Sequence, residues 1–240
     1  MSAVIKTFIN NFFRLFGVEI KRTPQYKPYE WLKGMNIRTI LDIGANTGQF
    51  ALRIHKILPD AQIYSFEPLS DCFEELKRNL SNVPKFQCFN YALGNETRKH
   101  VIYHNDFSLS SSLLPMEQLH KDAFPYTKNA KEEVIEVRGL DTIAESLELA
   151  DNILIKIDVQ GFEDKVILGG EKTIKRAKIL IVEISFETLY HGQLLFDGIH
   201  SMLKSRGFVF KGCEESLRNP NDGRILQSDG IFVRDDCISG

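Results

Sequence analysis

Lys156, Asp158 and Glu163 stand close together in the run Ile155-Lys156-Ile157-Asp158-Val159-Gln160-Gly161-Phe162-Glu163. A carboxylate beside a reacting hydroxyl can take its proton, so Asp158 is the leading candidate base and Glu163 the second. Strand alternation puts Lys156 and Asp158 on one face and Ile155, Ile157 and Val159 on the other. A lysine inside a central strand needs a partner, which Asp158 or Glu183 can supply. Two plainer readings stay open. Glu163 also suits the first turn of a helix, where an acid favours the dipole, and Asp158 also suits a role as neutraliser of Lys156.

A second constellation lies upstream, in Leu41-Asp42-Ile43-Gly44-Ala45-Asn46-Thr47-Gly48. Gly44 and Gly48 allow a sharp turn and close backbone approach to a ligand, with free N–H groups where the next helix begins. Such a turn also serves purely to close packing in many α/β proteins. Tyr64-Ser65-Phe66-Glu67-Pro68 strengthens the ligand reading, because Glu67 follows Gly48 by 19 residues, near the ~20-residue spacing of an acid that binds ribose hydroxyls. Pro68 then ends the strand.

These residues need strand ends to hold them. From residue 38 short apolar runs alternate with helical stretches, the pattern of βαβ units and a parallel sheet. Strands are expected at 38–43, 62–67, 85–92, 153–158, 179–185, 208–212 and 230–234, with helices at 50–58, 70–80, 141–149, 163–168 with continuation past the glycine pair, and 196–206. The sixty or so residues between the third and fourth strands exceed an ordinary connection. His100 to Asn105 and Glu133 to Val137 alternate like a β-pair within an insertion over about 96–138, and Ser108 to Thr127 reads as an irregular loop. Residues 1–30 form an amphipathic helix and linker, its stripe built from Val4, Ile5, Phe8, Phe12, Leu15 and Phe16. That stripe suits packing on the domain, pairing in a homo-oligomer, or a membrane surface; its Asn-rich polar face disfavours the membrane. Residues 31–240 form the main domain.

The chain has 30 Lys plus Arg against 32 Asp plus Glu, a net charge of −2 that excludes nucleic-acid binding by bulk phosphate neutralisation. No apolar run reaches the ~20 residues of a bilayer span, and a cytoplasmic location is expected. Cys72, Cys88, Cys213 and Cys237 are scattered, without zinc spacing or disulfide density.

With these motifs in view, the chain resembles FkbM-type S-adenosylmethionine-dependent methyltransferases of the class I fold. The resemblance runs from about Thr39 to Arg234 and rests on DIGANTG at 42–48, FEP at 66–68, NYALGN at 90–95, IDVQGFE at 157–163, VEIS at 182–185, and the stretch from LYHGQ at 189–193 to SDGIFV at 228–233. It implies an α/β, Rossmann-like, seven-stranded and mostly parallel sheet with helices on both faces and the last strand inserted antiparallel. It also implies that Asp42, Gly44, Asn46 and Gly48 line the methionine side of S-adenosylmethionine, and that Glu67, followed by Pro68, takes the ribose. Asn90, Tyr91 and Ala92 would lie beside adenine, with Leu69 available to pack on the base. Asp158 would stand between cofactor and acceptor.

His191 and Tyr190 follow the fifth strand and can meet a substrate from the loop side, although a lone loop histidine also suits an ordinary surface. Ser110, Ser111 and Ser112 can hydrogen-bond a polyhydroxylated acceptor, or simply belong to a loop. Asp158, Glu163 and Glu183 could ligate a divalent metal, but nothing in the sequence demands one. The reading is O-methylation of a hydroxyl on a sugar, glycan or glycosylated natural product, the sugar being implied by the resemblance alone. Two rivals remain. An NAD-dependent oxidoreductase shares the Gly turn and ribose acid, but Asn46 departs from its fingerprint. A non-catalytic binding protein with this fold would have less reason to keep Asp42, Glu67 and Asp158.

Overall fold

Five consecutive buried residues, Thr39–Ile43, make β1, and Ile153–Ile157 make the equally buried β7; strands covered on both faces belong at the centre of a parallel sheet. The computed structural model describes residues 27–105, 111–124, 127 and 130–237. The expected N-terminal helix and Ser110 lie outside the described residues. Around β1 and β7 the sheet continues with β2 (Gln62–Phe66), β3 (Phe86–Phe89), β8 (Ala177–Ser185), β9 (Phe208–Arg218) and β10 (Ile225–Arg234). The seven strands run in the order β3-β2-β1-β7-β8-β10-β9. All are parallel except β10, which inserts antiparallel between β8 and β9.

Helices cover both faces, as expected. One face carries a 3-10 helix (Glu30–Met35), α1 (Gln49–Ile57) and α2 (Ser70–Asn79), packed on Ile40, Ile63, Leu154, Ile179 and Ile181. The other carries α4 (Leu140–Ala144), α5 (Glu163–Gly169), α6 (Glu171–Arg176) and α7 (Phe196–Lys204), packed on Ile155, Ile157, Leu180 and Val182. Each such buried aliphatic side chain contributes about 1.5–3 kcal/mol relative to leaving it in water.

The insertion departs from expectation. The third strand stops at Phe89 instead of running to Ala92, because Asn90 turns to donate from Nδ2 to the Glu67 and Pro68 carbonyls at 3.0 and 2.9 Å. The chain then enters a second sheet as β4 (Ala92–Gly94), joined by β5 (Arg98–Asn105) and β6 (Ala130–Gly139) in the order β4-β6-β5. The expected β-pair is thus three strands. The expected irregular loop carries a helix, α3 (Gln118–Ala123), with β-bridges from Ser112 to Tyr103 and from Met116 to Tyr190. This lobe has its own core, in which Leu69, Ile102, Leu113, Val137 and Phe162 meet. The helix expected at 141–149 ends at Ala144, and β9 and β10 are twice the expected length, forming a long hairpin.

Candidate active site

The face of the sheet under α1 changes character along its strands. Ile40, Ile63, Leu154, Ile181 and Ile231 are apolar, whereas the positions nearer the carboxyl ends of the parallel strands are Ser65, Asp42, Lys156, Glu183 and, on antiparallel β10, Asp229. Register sets them side by side: Ser65 opposite Asp42, Asp42 opposite Lys156, and Glu183 opposite Asp229. Asp42, Lys156, Glu183 and Asp229 line a cavity of about 510 Å³, in the crevice where open α/β sheets bind ligands. Tyr29, Phe50 and Arg53 roof it, and Ile102, Ser111, Ser112, Leu113, His120 and Phe124 of the insertion wall it.

Lys156 is the buried cation of this row. Its Nζ donates to Asp158 Oδ2 at 2.6 Å and lies 5.5 Å from the Phe50 ring centre. Burial opposes its charge, yet the Asp158, Asp229 and Asp42 carboxylates together hold the ammonium above the ordinary lysine range. Asp42, 1 % exposed, accepts from Ser65 Oγ at 3.3 Å. Burial pushes its carboxyl up to about 6, opposed by Lys156 and reinforced by Asp158.

Gln160, in the left-handed region at φ 54°, joins two acids. Its Nε2 donates to Asp158 Oδ1 at 3.0 Å and to Glu183 Oε1 and Oε2 at 3.0 and 2.9 Å, while Tyr190 Oη donates to its Oε1 at 2.7 Å. The tyrosine therefore decides which end of the amide faces the carboxylates. Burial, then the Asp158 and Glu163 charges, raise the Glu183 carboxyl well above the usual range. Asp229 is raised by burial and accepts from Tyr29 Oη at 2.7 Å, a contact across 200 residues of sequence.

Glu67, 4 % exposed, accepts from the Asn46 N–H at 2.8 Å and the Leu69 N–H at 2.9 Å. Burial pushes it up to about 7 against those two bonds. Gly44, at φ 82°, is needed because a Cβ there would come within 1.9 Å of the Asp158 carbonyl oxygen.

Of the residues singled out from the sequence, Asp42, Gly44, Asn46, Glu67, Pro68, Leu69, Ala92, Ser111, Ser112, Lys156, Asp158 and Glu183 line the cavity together. The others lie elsewhere. Gly48 packs toward Leu76 and Leu80, Asn90 braces the turn after Glu67, and Tyr91 sits in the core under Arg138. Glu163 is buried and turned to the loop, where Oε1 accepts the Val159 and Gly161 N–H groups at 3.1 and 3.0 Å. His191 is exposed and faces Glu117 at 3.0 Å. Among the described residues, no three His, Cys, Asp or Glu side chains are grouped as a metal site. Sequence reasoning passed over Tyr29, Gln160 and Asp229. Gln160 and Asp229 stand inside quoted motifs, beside Gly161 and Gly230, but nothing near Tyr29 signals its partner.

The buried acids make stability depend on pH. Asp42 at about 6 and Glu67 and Glu163 at about 7 lie above their unfolded values of roughly 4, so each contributes stability that is full below pH ~4 and lost as pH rises through 6 to 7. His120, pushed down to about 4 by burial, runs the other way between pH ~4 and ~6.5. Three carboxyls outweigh one imidazole. The melting temperature is expected to be higher at pH 5.5 than at pH 8, and scanning calorimetry showing the reverse would refute these assignments.

The cavity is lined by six carboxyl groups, those of Asp42, Glu67, Asp158, Glu183, Glu215 and Asp229, against the cations Lys156 and Arg53, of which Arg53 already pairs with Glu215. Such a lining favours a ligand that carries positive charge.

Comparison with known proteins agrees with this picture. The family model of the methyltransferase FkbM domain matches residues 42–210, more than half of the chain. The 2-O-methyltransferase NoeI of Sinorhizobium fredii is 29 % identical over 174 residues, covering 69 % of this chain and 71 % of its own. The methyltransferase sdnD of Sordaria araneosa is 29 % identical over 163 residues, 55 % of this chain and 60 % of its own. A crystal structure of methyltransferase FkbM from Methylobacillus flagellatus shares the fold, with a TM-score of 0.50 at 14 % identity, covering 82 % of this chain and 43 % of that one.

Proposed function

The chain belongs to the FkbM methyltransferase family, and from that premise we propose that it methylates a hydroxyl of a sugar, glycan or glycosylated natural product, with Asp158 as the base. Family membership makes it an S-adenosylmethionine-dependent methyltransferase and displaces the oxidoreductase and non-catalytic readings. The observation that carries the assignment of Asp158 is its place: beside Lys156, with 28 % of its side chain exposed, in the same cavity as Glu67 and Asp42. The 2-O-methyltransferase activity named for the Sinorhizobium relative supports a hydroxyl acceptor.

The residues present fit the cofactor. A sulfonium and an ammonium suit the acid-rich lining, and Glu67 keeps lone pairs for a ribose diol beyond the two it gives to backbone N–H groups. Phe66, Leu69, Ala92 and Leu93 offer apolar surface for the base. S-adenosylmethionine, when bound, supplies an electrophilic methyl group. On the protein's side, Asp158 orients the acceptor hydroxyl and takes its proton as the oxygen–carbon bond forms. Lys156 and Gln160 hold both Asp158 oxygens in place, so little reorganisation is left for the moment of transfer.

Mass spectrometry of a glycoside set incubated with cofactor is expected to show an O-methylated product; transfer to nitrogen or carbon acceptors alone would overturn the hydroxyl reading. Glu67→Gln is expected to weaken S-adenosylhomocysteine binding by about 1.5–3 kcal/mol, the range for hydrogen bonds to a charged group. Calorimetry above pH 8, where Glu67 is ionised, checks this, and unchanged affinity would sink the ribose assignment.

Among the described residues no helix is long and apolar enough to cross a membrane. A cytoplasmic reaction with no nucleic-acid partner completes the proposal.

A further inference from the structure

Tyr190 is fully buried and does not line the cavity, yet its hydroxyl holds a side chain that does. Tyr190 Oη donates to Gln160 Oε1 at 2.7 Å, and the other end of that amide lies between Asp158 and Glu183. Nε2 carries two hydrogens, enough for one bond to Asp158 Oδ1 at 3.0 Å and one shared by Glu183 Oε1 and Oε2 at 3.0 and 2.9 Å. Turned end for end, the amide would set its carbonyl oxygen against Asp158 Oδ1, and that contact would need a proton on Asp158. Burial and the Glu183, Glu163 and Asp158 charges keep the phenol's own proton on it, so the tyrosine stays a donor and opposes the turn.

The surrounding chain holds this contact from several sides. Gln160 takes a left-handed φ of 54°, a conformation unfavourable for a residue with a side chain and one that clusters at functional sites. Ser112 Oγ donates to the Gln160 carbonyl at 2.5 Å, and Glu163 accepts the N–H groups on either side of Gln160. Gly161, at φ 97°, lets the tyrosine come close, because a Cβ there would lie 3.1 Å from the Tyr190 Cβ. Gln193 Oε1 accepts the Tyr190 backbone N–H, and the Tyr190 ring packs edge-on against His120 at 5.3 Å.

Resting on the assignment of Asp158 as base, we propose that Tyr190 is a positioning residue for methyl transfer: by fixing the Gln160 amide it keeps the N–H end toward Asp158, so that Asp158 meets the acceptor hydroxyl as a carboxylate. The need for such a device lies in the crowding. Asp42 on β1, Glu163 on α5, Glu183 on β8 and Asp229 on β10 all act on Asp158, against the one ammonium of Lys156 on β7. Crowded acids favour taking up a proton, and an N–H donor aimed at Asp158 directs that proton to another member of the group.

The test uses the full chain, with melting curves reporting whether each variant folds. In protein labelled with ¹⁵N-glutamine and saturated with S-adenosylhomocysteine, the Gln160 amide is assigned by its loss in Gln160→Met. Its protons are expected to exchange with water about five- to tenfold more slowly in the parent than in Tyr190→Phe, the value of one hydrogen bond. Equal exchange overturns the proposal. The kinetic arm follows methylation of methyl glycosides of hexoses, 6-deoxyhexoses and N-acetylhexosamines. On the best of these, Tyr190→Phe should lower kcat about five- to tenfold, with KM and S-adenosylhomocysteine affinity little changed and the acid limb of the kcat profile moved to higher pH. A lower melting temperature with that limb unmoved would make the hydroxyl merely structural and overturn the proposal. In Gln160→Met the tyrosine has no amide to fix, so adding Tyr190→Phe should lower kcat no further, and a full further loss overturns the proposal. Parent kcat in Tyr190→Phe, with turnover lost in Asp158→Asn, overturns the proposal and leaves the functional reading intact. Parent turnover in Asp158→Asn overturns both. If no glycoside is methylated, the saccharide reading falls and the exchange of the Gln160 amide decides the positioning alone. Where Tyr190→Phe fails to fold, exchange of the parent's Gln160 amide as fast as that of an exposed glutamine, or unchanged kcat in Gln160→Met, overturns the proposal, and the opposite results uphold it.

Discussion

Asp158→Asn is expected to lower turnover by ~10² to 10⁴-fold, the usual contribution of a positioned general base, with S-adenosylhomocysteine affinity nearly unchanged. The variant keeps the shape of the side chain and keeps one oxygen for Lys156, whose charge is still balanced by Asp42 and Asp229. What disappears is the group that accepts the hydroxyl proton. Single-turnover kinetics on the true acceptor, with cofactor binding followed by calorimetry, separates chemistry from binding. If turnover matches the parent, Asp158 is a structural partner of Lys156. The search for a base then moves to Glu183, which faces the same cavity, and not to Glu163 or His191, which do not.

Lys156→Met is expected to destabilise the protein by roughly 3–5 kcal/mol at pH 8, the loss seen when one member of a buried ionic group is removed. Methionine fills similar volume under Phe50, so packing changes little and the effect is electrostatic. The sign with pH follows from the acids left behind. Asp42 and Asp229 are already raised and rise further without the lysine, so the stability they contribute is present below pH ~4 and lost as pH climbs through their folded values. The penalty should therefore be smaller at pH 5 than at pH 8. Urea unfolding at both pH values measures it, and equal penalties would mean that Lys156 balances no buried charge.

The centre of this molecule was legible because its signals are local. Buried runs such as 39–43 and 153–157 read as strands at once, and acids at strand ends followed by glycine read as a ligand site. The failures share a physical cause. Asn90 looks like one more strand residue until the carbonyls of Glu67 and Pro68, more than twenty residues upstream, capture its side chain. The outer half of β9 carries Glu214, Glu215 and Ser216, an edge strand's polar pattern that resembles a loop. Glu163 had the right spacing for catalysis, but two backbone N–H groups compete for it and win. Tyr29 and His120 enter the site through packing partners far off in sequence, which no periodicity reports.

The position of β10 between β8 and β9 bears on how the chain is made. A ribosome delivers β8 some forty residues before β10 can emerge, and throughout that interval the β8 edge, apolar on both faces, has no neighbour on its outer side. Glu183 waits for Asp229, and Tyr29 waits for it longer than any other residue of the site. The cavity is thus completed by the last strand of the sheet to be translated, and a chain shortened before β10 is expected to lack the Asp229 side of the cavity and to leave the β8 edge open to pairing.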